Sequence, residues 1–185
     1  RIDLESNRLV FAPNLSWKSV DIKGPLEAAT GLEVELENAA NACALAEIWG
    51  GAHSESVRNL VTVTVSEGIG AGMVLNGQLV RGATGLAGEW GHVTLQENGP
   101  LCKCGNRGCW EACASNSAAV RYFTELEPAQ GTQKIPGAAT FDLVLKLAQQ
   151  GHPLAKEALE KMAHYLGVGV AMTIAALAPD VLVIV

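Results

Sequence analysis

The stretch GEWGHVTLQENGPLCKCGNRGCWEACAS, residues 88–115, decides how the rest of the chain reads. It sets His92, Cys102, Cys104 and Cys109 in the order H-x9-C-x-C-x4-C. Three thiolates and an imidazole complete a tetrahedral zinc set, and with no open position such a site is structural. Gly105 and Gly108 supply the backbone freedom that lets closely spaced sulfurs converge on one point. Three cysteines within eight residues, out of an odd total of five, fit metal ligation in a reducing compartment better than a disulfide framework. Two other readings stay open: a set of buried free cysteines, and Cys113, one helical turn past Cys109, as a substitute ligand. Cys113 and Cys43 otherwise read as small buried apolar residues.

Working outward, Glu89 precedes His92 by three residues and Glu111 follows Cys109 by two. A metal that fixes His92 and Cys109 therefore brings two carboxylates into one neighbourhood. Carboxylates and an imidazole suit the vicinal hydroxyls of a sugar. The plainer alternative is two exposed loop acids.

Upstream, residues 59–82 read as a β-meander with a glycine-rich bend and an Asn76-Gly77 hairpin turn. The stretch NAANACALAEIWGGA, residues 38–52, reads as a helix capped by Asn38 and closed by Gly50-Gly51. A short helix before it ends at Gly31, and the alternation in LEVELE, residues 32–37, predicts a strand. Residues 1–25 read as loops and one short strand around the turn signals APN and KGP. Downstream, helical patterns cover about 115–127, 140–150 and 153–178, with a polar linker, PAQGTQKIPGAAT, before the second. The closing run VLVIV reads as a buried strand. A buried strand at one end and an uncapped polar start at the other give the expectation of a piece of a longer polypeptide.

The 185 residues carry 13 basic and 19 acidic side chains, a formal charge of −6, which makes a poor nucleic-acid surface. No apolar run approaches a bilayer span and no secretory signal pattern is present, so a cytoplasmic location is expected.

The motifs APNLSW, VELENAANACALAE, SEGIGAGMVLNGQLVRG, GEWGH, CKCGNRGCWEACAS and APDVLVIV, in that order, resemble the ROK family (repressors, open reading frames, kinases). The resemblance implies an α/β, actin/hexokinase-like (ribonuclease H-like) fold. Residues 1–36 would end the smaller N-terminal domain and 37–185 would form most of the larger one. It implies zinc on His92, Cys102, Cys104 and Cys109, a sugar on Asn38, Glu89, His92 and Glu111, and a homodimer.

Two departures bear on function. Kinases of the family need a carboxylate base directly after the asparagine, and Ala39 stands there. Their phosphate loop resembles GTGIGGG, whereas residues 66–72 read SEGIGAG, with Glu67 for the threonine beside Gly68 and Gly70. A carboxylate facing a triphosphate costs about 1–4 kcal/mol. These changes favour the effector domain of a transcriptional regulator that meets DNA through a helix-turn-helix outside this chain. The alternatives are a sugar kinase, such as a glucokinase or N-acetylhexosamine kinase, and a zinc-stabilised scaffold without a sugar.

Overall fold

The computed structural model describes residues 2–3, 6, 8–12, 17–51, 56–129 and 139–185. The first sheet has the order β1-β2-β3, from Ile2–Asp3, Arg8–Ala12 and Trp17–Val20, all antiparallel. The sequence offered one short strand here rather than three. Only Leu9 is buried, and Val10, Phe11 and Trp17 stay exposed, so the usual alternation is absent. Of the APN turn, Pro13 and Asn14 lie outside the described residues.

KGP is not a turn but the start of helix α1, Lys23–Thr30. Pro25 costs nothing in a first turn, where amides have no intrahelical partner. The Asp21 carboxylate accepts from the Gly24 N–H at 3.2 Å and so serves one of those amides. Gly31 caps the far end at φ 68°. The expected strand at 32–37 does not form. Its Val34 N–H goes instead to the Glu27 side chain at 3.1 Å, and Leu32 is 68% exposed. Val34 and Leu36 are nevertheless half-buried, alternating with the exposed Glu33 and Glu35, so the alternation shows in burial without a strand ladder.

Helix α2, Ala39–Gly50, starts where Asn38 accepts from the Ala40 N–H at 2.8 Å and stops at Gly51. Next come β4 (Leu60–Val65), β5 (Ile69–Leu75) and β6 (Gln78–Leu79), with Asn76 and Gly77 both at positive φ in the hairpin turn. They form a second sheet with β7, Val181–Ile184, in the order β6-β5-β4-β7. β7 lies parallel to β4, with Leu60 opposite Val181 and Val63 opposite Ile184. It is half-buried rather than buried, because it is the terminal strand of that order.

The later segments are α3 (Trp110–Ala114), α4 (Asn116–Ala129), α5 (Phe141–Gln149) and α6 (Pro153–Leu177). Of the expected linker, residues 130–138 lie outside the described residues. Contacts divide the chain into two compact units. The first takes the described parts of Arg1–Val63, Gly70–Glu89 and Pro179–Val185, and its core is Ala44, Leu60 and Val74 with Ile48, Leu79 and Val183 packed around them. In it, Gly72 lets α2 lie on β5, since a Cβ there would overlap the Ala40 carbonyl. The Thr62 hydroxyl, fully buried, donates to that same carbonyl at 3.2 Å.

The second unit takes Thr64–Ile69 and the described parts of Trp90–Ala178. Its core is Tyr122, Phe123, Val144, Leu154, Ala155 and Ala158, where α4, α5 and α6 meet. Trp110, fully buried, lies against Gly169 of α6, whose missing side chain makes room for the indole. Among the described residues no helix is long and apolar enough to cross a membrane.

Candidate metal centre and polar pocket

In the second unit the cysteine segment folds into a knuckle. The Cys102 N–H donates to the Asn106 carbonyl at 2.8 Å, and the Gly105 N–H to the Cys102 carbonyl at 3.0 Å. Gly105 at φ 95° and Gly108 at φ 65° hold conformations that side chains disfavour, as the spacing predicts. A Cβ on Gly108 would also strike the Gln96 carbonyl. Isolated bridges Leu101–Arg107 and Thr94–Cys109 close the loop.

The ligand atoms of His92, Cys102, Cys104 and Cys109 all lie within 4.8 Å of one another. Cys104 Sγ and Cys109 Sγ are 3.7 Å apart, and Cys102 Sγ is 3.6 Å from His92 Nδ1. Zinc–sulfur bonds of about 2.3 Å at tetrahedral angles give sulfur–sulfur edges of about 3.8 Å. The Cys104–Cys109 and Cys102–His92 separations match the edges of such a site, and 3.7 Å between sulfurs is too long for a disulfide, whose bond is about 2.05 Å. Cys113 is not in the group. It is buried, as expected, whereas Cys43 is only half-buried.

Burial, with the neighbouring thiols adding to it, pushes the Cys109 thiol up to about 12. Burial also raises Cys102. Cys104 is exposed, and although what burial it has opposes ionisation, the Asn106 N–H and the neighbouring thiols hold its thiol below the usual range. A metal must displace protons from at least two of the three sulfurs.

Glu111 stands in the first turn of α3. Its Oε2 accepts from the Ile69 N–H at 3.1 Å and its Oε1 lies 3.7 Å from Cys102 Sγ. A Cβ at Gly68 would strike this carboxylate, which would have to shift to admit any side chain at the bend of the phosphate-loop-like segment. At that bend the Glu67 carboxylate accepts from the Ser117 hydroxyl at 2.7 Å. Glu67, Glu111, Ser117 and Arg121 line one cavity of about 190 Å³.

In the first unit Asn38 and Glu89 line a second, small cavity with Asn41, Gly70 and Gly88. Gly88 takes φ 91° and approaches the Ala71 carbonyl too closely for any side chain. Glu89 opens and His92 closes the 3-10 turn Glu89–His92. Ala39, the first residue of α2, offers no titratable group. The four expected sugar ligands thus fall into two groups, Asn38 and Glu89 in one unit and His92 and Glu111 in the other.

The sequence reading missed a network beside Asn38. Glu37 Oε1 accepts from the Asn38 N–H at 2.8 Å and from Asn41 Nδ2 at 2.9 Å. Its Oε2 accepts from Arg81 Nε at 2.9 Å, with Arg81 Nη2 at 2.7 Å. Burial alone would raise the Glu37 carboxyl, but the Asn41 amide, the Asn38 N–H and Arg81 outweigh it and hold the carboxyl below the usual range. The i,i+4 spacing of Glu37 and Asn41 was visible in the sequence, while the third partner, 44 residues away, was not.

Three comparisons place this arrangement. The xylose repressor of Bacillus subtilis (strain 168) is 36% identical over 166 residues, 89% of this chain and 40% of its own length. The crystal structure of a ROK family glucokinase from Streptomyces griseus, in complex with glucose and AMPPNP, superposes with a TM-score of 0.86 at 31% identity, covering 99% of this chain and 61% of that one. A ROK family transcriptional regulator, a homologue of the E. coli MLC protein, superposes with a TM-score of 0.82 at 31% identity, covering 99% and 46%. The chain spans about half the length of the curated relatives it matches. Its fold is the actin/hexokinase-like α/β fold of these proteins. The ROK family model matches residues 1–185, and with the relatives already described this chain belongs to the ROK family.

Proposed function

We propose that this chain is the sugar-binding effector part of a ROK transcriptional regulator, with a structural zinc and without kinase chemistry. The observation that carries the reading is Ala39, which opens α2 directly after the capping Asn38. A phosphoryl acceptor hydroxyl needs a base at that point, and an alanine methyl cannot take its proton. Glu67 supports the same reading, because a carboxylate held at the bend opposes a nucleotide phosphate.

Zinc is held by His92, Cys102, Cys104 and Cys109; four protein ligands leave no position for water, so the ion orders the knuckle rather than reacting. The sugar is held by Asn38, Glu89, His92 and Glu111. Residues 1–36 close the smaller domain and 37–185 form most of the larger one. Sugar binds one arrangement of the two domains more tightly than another, and that difference in affinity shifts a helix-turn-helix outside this chain on or off DNA. The protein works as a cytoplasmic homodimer.

A second reading, an ATP-dependent sugar kinase, is favoured by the TM-score of 0.86 to the glucokinase that holds glucose and AMPPNP. Calorimetric titration of the parent protein with xylose, glucose and, separately, AMPPNP tests the two. The regulator reading expects saturable sugar binding, lost in Glu111→Ala, and no nucleotide binding. Tight AMPPNP binding favours the kinase.

A further inference from the structure

The cavity shared by Asn38, Asn41 and Glu89 has a volume of about 20 Å³, room for one hydroxyl or one water. Asn38 and Asn41 both line it. Asn38 Oδ1 is taken by the Ala40 N–H, which leaves the Nδ2 donor end for a ligand. Asn41 is only 4% exposed, and its Nδ2 donates to the acceptor-only carboxylate of Glu37. That contact fixes the amide flip and leaves Oδ1 as the acceptor end, which has no bonded group among the described residues. Glu37 cannot turn away, because Arg81 holds its other oxygen and the Asn38 N–H shares the first.

We propose that Asn38 and Asn41 form an amide clamp that reads one hydroxyl of the bound sugar, Asn38 Nδ2 donating to its oxygen and Asn41 Oδ1 accepting its proton. The inference rests on the sugar-binding reading above and adds Asn41 as a contact residue and Glu37 as the residue that positions it. A hydroxyl is a donor and an acceptor at once, whereas a carbonyl would leave Asn41 Oδ1 unmatched and an ammonium would face Asn38 Nδ2. The site therefore selects sugars with a free hydroxyl at one ring position over their deoxy counterparts.

The test is calorimetric titration of the zinc-loaded parent protein with glucose, xylose, their monodeoxy analogues and N-acetylglucosamine. In the wild type, one monodeoxy analogue should bind about 100-fold more weakly than its parent sugar, since it leaves the amide ends that met the hydroxyl unpaired. Asn41→Leu should weaken the parent sugar about tenfold and shrink that one penalty by the same factor, a ligand-specific coupling that loss of stability would not produce. Glu37→Gln, which keeps its shape but loosens Arg81, should move the penalty in the same direction. If every monodeoxy analogue of the wild type binds as its parent does, the clamp is overturned, whether or not Asn41→Leu folds. Wild-type affinities and penalties in Asn41→Leu, with binding lost in Glu89→Ala, overturn the clamp and leave the sugar site standing. A wild type that binds none of these sugars overturns both.

Discussion

Among single residues, Cys104 and Cys113 make the sharpest contrast. Both are free thiols near the knuckle, but only Cys104 has its sulfur among the clustered donors. Cys104→Ser should abolish stoichiometric zinc, whereas Cys113→Ser should keep it, as read by elemental analysis after metal-free dialysis. Because Cys109 is pushed up to about 12 and Cys102 is raised, binding releases protons from thiols that are neutral without the ion. Zinc affinity should therefore rise with pH, and competition with a chelator at about pH 6 and about pH 8 should show weaker binding at the lower value. A pH-independent affinity would mean that the thiols are not the ligands.

Glu37 gives the opposite kind of pH signature. Its folded carboxyl is held below its ordinary value, so its stabilisation is fully present above the ordinary carboxylate range and is lost as pH falls through the depressed folded value. Thermal unfolding followed from about pH 6 down to about pH 3 should show the wild type losing more stability than Glu37→Gln, because only the wild type titrates there. Parallel curves would remove Glu37 from the network that holds Asn38 and Asn41.

For the secondary-structure elements, close packing through missing side chains sets the tolerances. Gly169 of α6 faces the buried ring of Trp110, and an added methyl would overlap it. Gly169→Ala, though helix-favouring, should destabilise the protein by about 1–3 kcal/mol through overpacking, as measured by denaturant unfolding. An increase in stability would show that α6 can slide away from α3. What was legible in the sequence follows from the same physics. α2 and the β5–β6 hairpin were readable because Asn38, Gly51 and Asn76-Gly77 satisfy their backbone locally. The clustering of His92 with Cys102, Cys104 and Cys109 was readable because their spacing, with glycines between, leaves few geometries. The segment 32–37 was misread because a period of two describes a strand only if another strand pairs with it, and Val34 found a side chain instead. The three N-terminal strands were missed for the converse reason: pairing joins Leu9 to Val20 without a clean apolar face to announce it. Asn41 and Glu37 escaped notice because their role depends on Arg81, a residue distant in the chain.

For the whole molecule, the regulator reading proposed above is that a sugar-binding ROK architecture is kept while phosphoryl transfer is lost. The two losses are separable. General-base catalysis contributes about 10²–10⁴-fold, but Ala39→Asp alone would supply a base and leave Glu67 opposing the nucleotide phosphate. Glu67→Thr alone would remove the charge at the bend and free Ser117, without supplying a base. The measurement that addresses this most directly is a phosphotransfer assay on the parent protein with ATP and magnesium, with glucose and xylose as acceptors. It compares the wild type, both single variants and the double variant. The account predicts background turnover in the wild type and in each single variant, with any gain confined to the double variant. Wild-type turnover above about 1 s⁻¹, ordinary for a kinase, would contradict it.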